Sequence, residues 1–147
     1  MNAMIDERTP DWHEQRRTGI GGSDAAAVLG LSKWKSPLQV FLEKRGELLP
    51  TADNEPMRWG RLLEPVILQR YSDLMRRDVA RPAGILRHPK NEFMLANLDG
   101  VTDDDRVVEA KTARTADGWG EPGTDEVPQE YLLQTQHYLA VTGFAVA

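Results

Sequence analysis

The sequence predicts a mixed α/β protein with a single domain over residues 1–147. Short runs with strand character lie at 83–87, 93–99, 106–111 and from 144 onward. Segments with clear helix-start and helix-stop signals surround these runs. We therefore expect a mixed central β-sheet flanked by helices. A chain of 147 residues is long enough for one domain with a moderate hydrophobic core.

The helices are predicted from their end signals. Thr9, Pro10 and Asp11 provide a capping hydroxyl, a proline for the first turn and an acid for the positive end of the dipole. This first helix should run to about Arg17. By the same signals, further helices are expected at 38–45 between Ser36-Pro37 and Gly46, at 57–75, and at 128–141 before Gly143. Residues 1–8 are polar and unpatterned, and we expect them to be disordered.

The composition excludes several classes of protein. No run of 18 apolar residues is present, which argues against a membrane span. The chain has no cysteine, so it has no disulfide framework and no thiolate metal site, and this composition suits a reducing cytoplasm. His13, His88 and His137 are too widely spaced for a zinc motif. A metal would therefore be held mainly by oxygen ligands.

The net charge of −5 is unevenly distributed along the chain. Residues 1–50 carry seven basic and seven acidic side chains, residues 51–98 carry eight and six, and residues 99–147 carry three and ten. The acidic excess therefore lies in the last third. A bound dication would partly offset that negative field, so the overall charge does not argue against a nucleic-acid partner.

A glycine-rich segment at 19–24 enters the apolar run 25–29. A turn of this kind exposes backbone N–H groups, the Ser23 hydroxyl and the positive end of a helix, which together suit a phosphate. Alternatively, Ser23 caps the helix and the glycines only permit a tight turn. No Gly-Lys-Ser/Thr sequence follows, which disfavours a nucleoside triphosphate site. Arg16 lies four residues after Trp12, so a guanidinium and an indole share one helix face.

Acidic residues at two predicted strands suggest a metal site. Asp99 ends the predicted strand 93–99, and Glu109 and Lys111 lie two apart on the next strand, hence on one face. Two carboxylates beside an ammonium suit Mg²⁺ or Mn²⁺ and phosphodiester chemistry. An acidic hairpin with a solvated charge run at 103–105 and an incidental ion pair is the alternative.

Two predicted helices carry polar residues in unusual places. Glu64 stands among apolar residues immediately before Pro65. A proline inside a helix frees a backbone carbonyl and kinks the helix. Departures of this kind from local sequence preference tend to fall at functional sites. The alternative is a helical glutamate paired with Arg61 or with the solvent-side neighbours of Leu68. In the last helix Gln134 lies between Tyr131 and Tyr138 on one face, which is unusual for a core stripe.

These motifs, in this order, resemble the YqaJ-type viral recombinase family, the phage lambda exonuclease family of the PD-(D/E)XK nuclease superfamily. The resemblance covers about residues 9–147. It rests on Trp12, Arg16, the Ser23 turn, Gly60, Glu64-Pro65, Asp99-Gly100, Glu109-Ala110-Lys111 and the Tyr131, Gln134, Tyr138 helix. It implies a restriction-endonuclease-like core. Because the family's domain continues with further strand and helix, we expect the C-terminal part of the domain to be missing.

The resemblance also implies a role for each motif. Asp99, Glu109 and the Ala110 carbonyl would hold one metal ion, and Glu64 together with Asp99 would complete a second position. Lys111 would orient the attacking water and help to deprotonate it. Gln134 would position Lys111 or the DNA end, and so would Tyr138. Arg16 and Ser23 match the family's residues for a 5′-terminal phosphate.

The expected function is therefore a Mg²⁺- or Mn²⁺-dependent deoxyribonuclease with two ions per site. It would degrade double-stranded DNA ends 5′ to 3′, in phage recombination, and leave 5′-phosphate products. The resemblance further implies a homotrimer, a single-strand annealing recombinase as partner, and the cytoplasm of a bacterium or phage-infected host. The alternatives are a structure-specific or restriction-like endonuclease, and a catalytically silent DNA-binding scaffold.

Overall fold

A computed structural model describes residues 10–49 and 51–147 of the chain. This part of the chain contains five helices and six short strands, and five of the strands follow one another between the last two helices. The helices are α1 Pro10–Arg17, α2 Gly22–Val28, α3 Pro37–Arg45, α4 Glu55–Met75 and α5 Gln129–Thr142. The strands are β1 Ile20–Gly21, β2 Val79–Ala80, β3 Leu86–Arg87, β4 Met94–Ala96, β5 Gly100–Thr102 and β6 Val107–Val108. The α/β class is confirmed. The predictions for residues 1–8 and for Thr9 lie outside the described residues.

The strands form two three-stranded sheets rather than the single central sheet expected. In the first sheet, β4 pairs parallel with β1 and antiparallel with β3. In the second, β5 pairs antiparallel with both β2 and β6. The predicted strand 93–99 ends early, because the chain leaves the first sheet after Ala96 and enters the second at Gly100. The residues from 144 onward contribute an isolated parallel bridge between Arg106 and Val146.

Helix ends follow the local sequence signals closely. The Ser36 hydroxyl accepts a hydrogen bond from the Gln39 N–H, Pro37 occupies the first turn, and Gly46 ends α3 with a φ of 73°. Asn54 caps α4, which begins two residues earlier than expected and runs through Pro65.

The start of α2 corrects one interpretation of the glycine-rich segment. The cap of α2 is Gly21, whose N–H donates a 3.1 Å hydrogen bond to the Asp24 carboxylate. Ser23 is therefore not the cap. Its hydroxyl is available for another contact.

The hydrophobic core lies between α5 and the strands. Its buried members are Ala96, Leu98, Val107, Tyr138 and Val141. Helix α5 packs against both α2 and β4, so it contacts the elements on either side of the predicted site. Helix α4 has no buried residue and reaches the fold mainly through β2. Within the described residues, no helix combines the length and the apolar character needed to cross a membrane.

Candidate active site

The register between β5 and β6 places Asp99 beside Glu109. Gly100 pairs with Val108 in this antiparallel ladder, so the residues just outside that pair, Asp99 and Glu109, lie at the same end of the two strands. The Ala110 N–H donates a 2.9 Å hydrogen bond to Asp99 Oδ2, which fixes the carboxylate at this position. The predicted convergence of these two acids is therefore present.

Within the described residues, one oxygen of the Glu109 carboxylate has two hydrogen-bond partners and the other has none. Its Oε1 accepts hydrogen bonds from Lys111 Nζ at 2.5 Å and from Gln134 Nε2 at 2.7 Å. Its Oε2 is buried and has no hydrogen-bond partner among the described residues. A buried carboxylate oxygen without a donor costs free energy, so such an oxygen is suited to a cation ligand.

The environment of Glu109 favours its protonated form. Burial, with 8% of the side chain exposed, raises the pKa of Glu109 from its ordinary value of 4.5 to about 7. The Lys111 ammonium opposes this shift, and the neighbouring Asp99 carboxylate adds to it. Two adjacent carboxylates that repel each other in a buried site fit a divalent cation, whose charge would stabilise both in their ionised forms.

Helix α5 contributes a buried polar pair on one face. Gln134 Nε2 also lies 2.9 Å from Tyr138 Oη, one turn further along the helix. Burial, reinforced by the Glu109 charge, raises the pKa of Tyr138 well above its ordinary value, so the phenol stays protonated. A Cβ atom at position 22 would come within 2.4 Å of the Tyr138 ring, which means that Gly22 permits the close approach of α2 to α5.

Lys111 lies beside an aromatic pair. Its Nζ is 5.1 Å from the centroid of the Tyr131 ring, in a cation–π contact. The Tyr131 ring in turn packs against Trp119 at a centroid distance of 5.6 Å. The ammonium is thus directed by Glu109 and by Tyr131, and it remains partly exposed.

Glu64 is not joined to the other two acids. Its carboxylate, on α4, forms an ion pair with Arg81 rather than with Arg61, and its side chain is 16% exposed. The Arg81 Nε lies 3.5 Å from the backbone oxygen of Asp99, so one arginine connects the two positions. Residues 10–49 and 51–147 contain no group of three or more Asp, Glu or His side chains that is placed to hold a metal ion. Glu64 is therefore connected to Asp99 through Arg81, and while it is paired with Arg81 it does not complete a ligand set with Asp99 and Glu109.

Arg16 and Ser23 meet directly. Arg16 Nη2 donates a 2.9 Å hydrogen bond to Ser23 Oγ, and the guanidinium lies 4.9 Å from the centroid of the Trp12 ring, as the helical spacing predicted. A cleft of about 200 Å³ is lined by this pair and also by Asp99, Glu109, Gln134 and Tyr138. The predicted phosphate ligands thus share one cavity with three of the predicted catalytic residues, Asp99, Glu109 and Gln134, whereas Glu64 and Lys111 do not line it.

Three charged residues at the site were not singled out from the sequence. Arg81 pairs with Glu64, while Asp24 and Lys44 form an ion pair of 2.7 Å behind Arg16. Asp24 could have been noticed from the sequence, because it is the last residue of the glycine-rich segment 19–24. Arg81 and Lys44 are separated from their partners by 17 and 20 positions, and no local pattern marks such pairs.

The fold matches nucleases of known structure. The crystal structure of an alkaline exonuclease (LHK-Exo) from Laribacter hongkongensis superposes with a TM-score of 0.71, at 26% identity over 92% of this chain and 70% of that chain. The structure of LHK-Exo in complex with dAMP gives a TM-score of 0.70 at 24% identity, with the same coverage. The chain is thus a mixed α/β protein of the restriction-endonuclease-like fold.

Sequence comparisons identify the family of the chain. The chain is 38% identical over 135 residues to protein YqaJ of Bacillus subtilis (strain 168), which covers 90% of this chain and 42% of that protein. It is 25% identical over 152 residues to protein R354 of Acanthamoeba polyphaga mimivirus, covering 95% and 28%. The chain therefore spans less than half the length of these two relatives. The model of the YqaJ-like viral recombinase domain matches residues 11–145, and the chain belongs to that family.

Proposed function

We propose that this chain is a metal-dependent deoxyribonuclease that degrades double-stranded DNA from its ends, 5′ to 3′. The observation that carries the proposal is the shared cleft, in which the Asp99–Glu109 pair and the Arg16–Ser23 pair face one cavity. An acidic pair suits a cation, and an arginine with a hydroxyl suits a terminal phosphate. Placing both in one cavity favours an enzyme that grips a DNA end while it cleaves near that end.

The residues present fit a divalent metal. Glu109 Oε2 is a buried oxygen with no donor in the described structure, and Asp99 retains a second oxygen beyond the one bound by the Ala110 N–H. These two carboxylates and the Ala110 carbonyl would hold one Mg²⁺ or Mn²⁺, as carboxylate and carbonyl oxygens are preferred ligands of these ions. Glu64, released from Arg81, would contribute to a second position.

Bound divalent ions would stabilise the charge that develops on the scissile phosphate and would lower the pKa of an attacking water. The protein's own groups supply the remaining steps. Lys111 Nζ, held by Glu109, would orient the water and stabilise the developing hydroxide, which helps the water to lose its proton to solvent. Gln134 would keep the Glu109 carboxylate in place, and Tyr138 would fix Gln134 through its hydroxyl.

Arg16 would bind the 5′-terminal phosphate in the same cleft. Its guanidinium already donates to Ser23 Oγ, and together they present a cation and a hydroxyl to an anion. Cleavage at the next phosphodiester bond would release a deoxyribonucleoside 5′-monophosphate. LHK-Exo, the alkaline exonuclease with the matching fold, was crystallised with dAMP, which belongs to this class of product.

The family resemblance extends the proposal to partners. It predicts a homotrimer, a single-strand annealing recombinase that receives the exposed strand, and action in the cytoplasm of a bacterium or phage-infected host. These expectations depend on the resemblance alone. The size of the complex in solution tests the first of them.

One experiment separates the proposal from its alternatives. The chain is incubated with Mg²⁺ and a 5′-labelled linear duplex, beside a nicked circle and a closed circle of the same sequence. We expect labelled mononucleotide from the linear duplex and an intact closed circle. Cleavage of the closed circle would favour the structure-specific or restriction-like endonuclease. Binding of the linear duplex without cleavage of any substrate would favour the catalytically silent scaffold.

A further inference from the structure

A buried ion pair lies behind the Arg16–Ser23 contact and has no role in the chemistry proposed above. The Asp24 carboxylate is 2% exposed, and Lys44 Nζ, from the last turn of α3, lies 2.7 Å from its Oδ2. The same ammonium donates a 2.8 Å hydrogen bond to the backbone oxygen of Arg16. One side chain from α3 therefore contacts both elements that carry the predicted phosphate ligands.

The Arg16 guanidinium lies close to two possible acceptors, the Ser23 hydroxyl and the Asp24 carboxylate. Arg16 Nη2 lies 2.9 Å from Ser23 Oγ but 3.8 Å from Asp24 Oδ1. The guanidinium is thus hydrogen-bonded to the hydroxyl and only near the carboxylate. The Asp24 carboxylate instead receives the Lys44 ammonium and the Gly21 N–H. Without Lys44, the nearest remaining cation to this buried anion would be Arg16.

The charges of Asp24, Lys44 and Arg16 sum to one positive charge, which favours the binding of an anion. Burial acts to raise the pKa of Asp24, but Lys44 and then Arg16 outweigh it, and the net effect is a pKa below the usual range. Asp24 is therefore ionised, and Lys44 cancels its charge. With two cations, Lys44 and Arg16, around this one buried anion, one positive charge remains in excess at the edge of the cleft that would admit a phosphate.

We propose that Asp24 and Lys44 are positioning residues for the 5′-phosphate pocket, in which Lys44 neutralises Asp24 so that Arg16 stays directed at Ser23 and available to the phosphate. Neither side chain lines the cleft, so neither is a catalytic residue. The inference rests on the proposed function, because it concerns the phosphate that the nuclease would hold. A purely structural pair would tie α3 to α2 and would leave phosphate preference unchanged.

The test measures binding rather than cleavage. Fluorescence anisotropy in EDTA gives the dissociation constants for two duplexes that differ only in a 5′-phosphate or a 5′-hydroxyl, and their ratio is the readout. We expect the wild-type chain to prefer the phosphorylated end. In Lys44→Met this ratio should fall about tenfold, which is the effect of losing one charge-assisted hydrogen bond when Asp24 captures Arg16.

Two further variants make the test specific. In the double variant Asp24→Asn/Lys44→Met the carboxylate charge is gone, so Arg16 is released and most of the preference should return. Lys35→Met removes a comparable ion pair of 2.6 Å, with Glu43, that does not contact Arg16, and it should leave the ratio unchanged. Should Lys44→Met fail to fold, Lys44→Gln carries the same prediction, since it keeps hydrogen-bond donors and loses the charge.

The outcomes separate the inference from the function on which it rests. A folded Lys44 variant with the wild-type ratio overturns the positioning role alone. A double variant that stays as low as the single one also overturns it, because neutralisation of Asp24 would then not be what matters. A wild-type chain that binds both ends equally overturns the phosphate pocket and this inference together.

Discussion

Gln134 Nε2 donates a hydrogen bond of 2.7 Å to Glu109 Oε1, across the contact between α5 and the end of β6. This bond connects the helix with the carboxylate that most resembles a metal ligand. It leaves Glu109 Oε2 as the oxygen without a partner in the described structure. The orientation of the proposed ligand is therefore set by a residue distant in sequence.

Replacement of Gln134 by Leu should destabilise the protein. Two buried oxygens, Glu109 Oε1 and Tyr138 Oη, would lose this donor, and an unsatisfied buried polar group costs about 1–3 kcal/mol. Urea denaturation measures the difference. The matched control is Gln136→Leu on the exposed face of the same helix, which should change the free energy of unfolding by less than about 0.5 kcal/mol. Equal effects of the two variants would contradict the proposed role of the bond.

Lys111→Met should reduce the chemical step much more than substrate affinity. A positioned acid or base contributes about 10²- to 10⁴-fold to a rate, and Lys111 is held beside Glu109 for that purpose. Single-turnover cleavage of a linear duplex, with Mg²⁺ present, gives the rate and the affinity separately. Lys90→Met, at an exposed turn, should leave both unchanged. A matching loss of affinity in Lys111→Met would identify Lys111 as a phosphate anchor instead.

The metal-free protein should lose stability as the pH rises from about 4.5 to about 7. The pKa of Glu109 is raised to about 7 in the folded state, so the folded protein binds this proton more tightly than the unfolded chain does. The stabilisation is complete below the unfolded pKa of 4.5 and is lost as the pH passes through the folded pKa. Urea denaturation in EDTA at pH 5 and pH 8 measures it.

The control for this pH dependence is Glu109→Gln, which has no proton to lose. The drop in the free energy of unfolding between the two pH values should be smaller in this variant than in the wild-type chain. An identical drop would show that other groups cause the dependence. Added Mg²⁺ should also reduce the drop in the wild-type chain, because a cation at Glu109 stabilises the ionised carboxylate.

Two glycine substitutions should have opposite effects. In Gly22→Ala the new Cβ would lie 2.4 Å from the Tyr138 ring, so α2 and α5 would have to separate, at a cost of about 1–3 kcal/mol. In Gly60→Ala the nearest atom is Thr112 Oγ1 at 3.5 Å, and alanine in the interior of α4 should stabilise by about 0.5–1 kcal/mol. Thermal unfolding of both variants measures the two changes in stability. Destabilisation by Gly60→Ala equal to that by Gly22→Ala would contradict the packing described.

The features that could be predicted from the sequence are helix ends and contacts that depend on local patterns. Ser36, Pro37 and Gly46 mark the ends of α3 because caps involve neighbours in sequence. Asp99 and Glu109 were predicted to meet because strand alternation and one hairpin suffice to bring them together. Arg16 and Ser23 were grouped through the family resemblance, and their contact is present.

The features that could not be predicted from the sequence depend on contacts between segments that are distant in the chain. Strands β1 and β2 are two residues long, too short for any periodicity, and pairing with other strands defines them. The Arg81–Glu64 and Lys44–Asp24 pairs join different elements, and no spacing rule indicates them. Sequence motifs grouped Glu64 with Asp99 and Glu109, whereas the structure places Arg81 at its carboxylate.

The most direct test of the account is the calorimetric titration of Mg²⁺ or Mn²⁺ into the chain at pH 8, together with cleavage of a linear duplex. Wild type and the control Asp105→Asn, in the exposed turn between β5 and β6, should bind the ion and cleave DNA. Asp99→Asn and Glu109→Gln should lose saturable binding and cleavage together. Undiminished metal binding and cleavage in both site variants would contradict the assignment of Asp99 and Glu109 as the metal-binding pair.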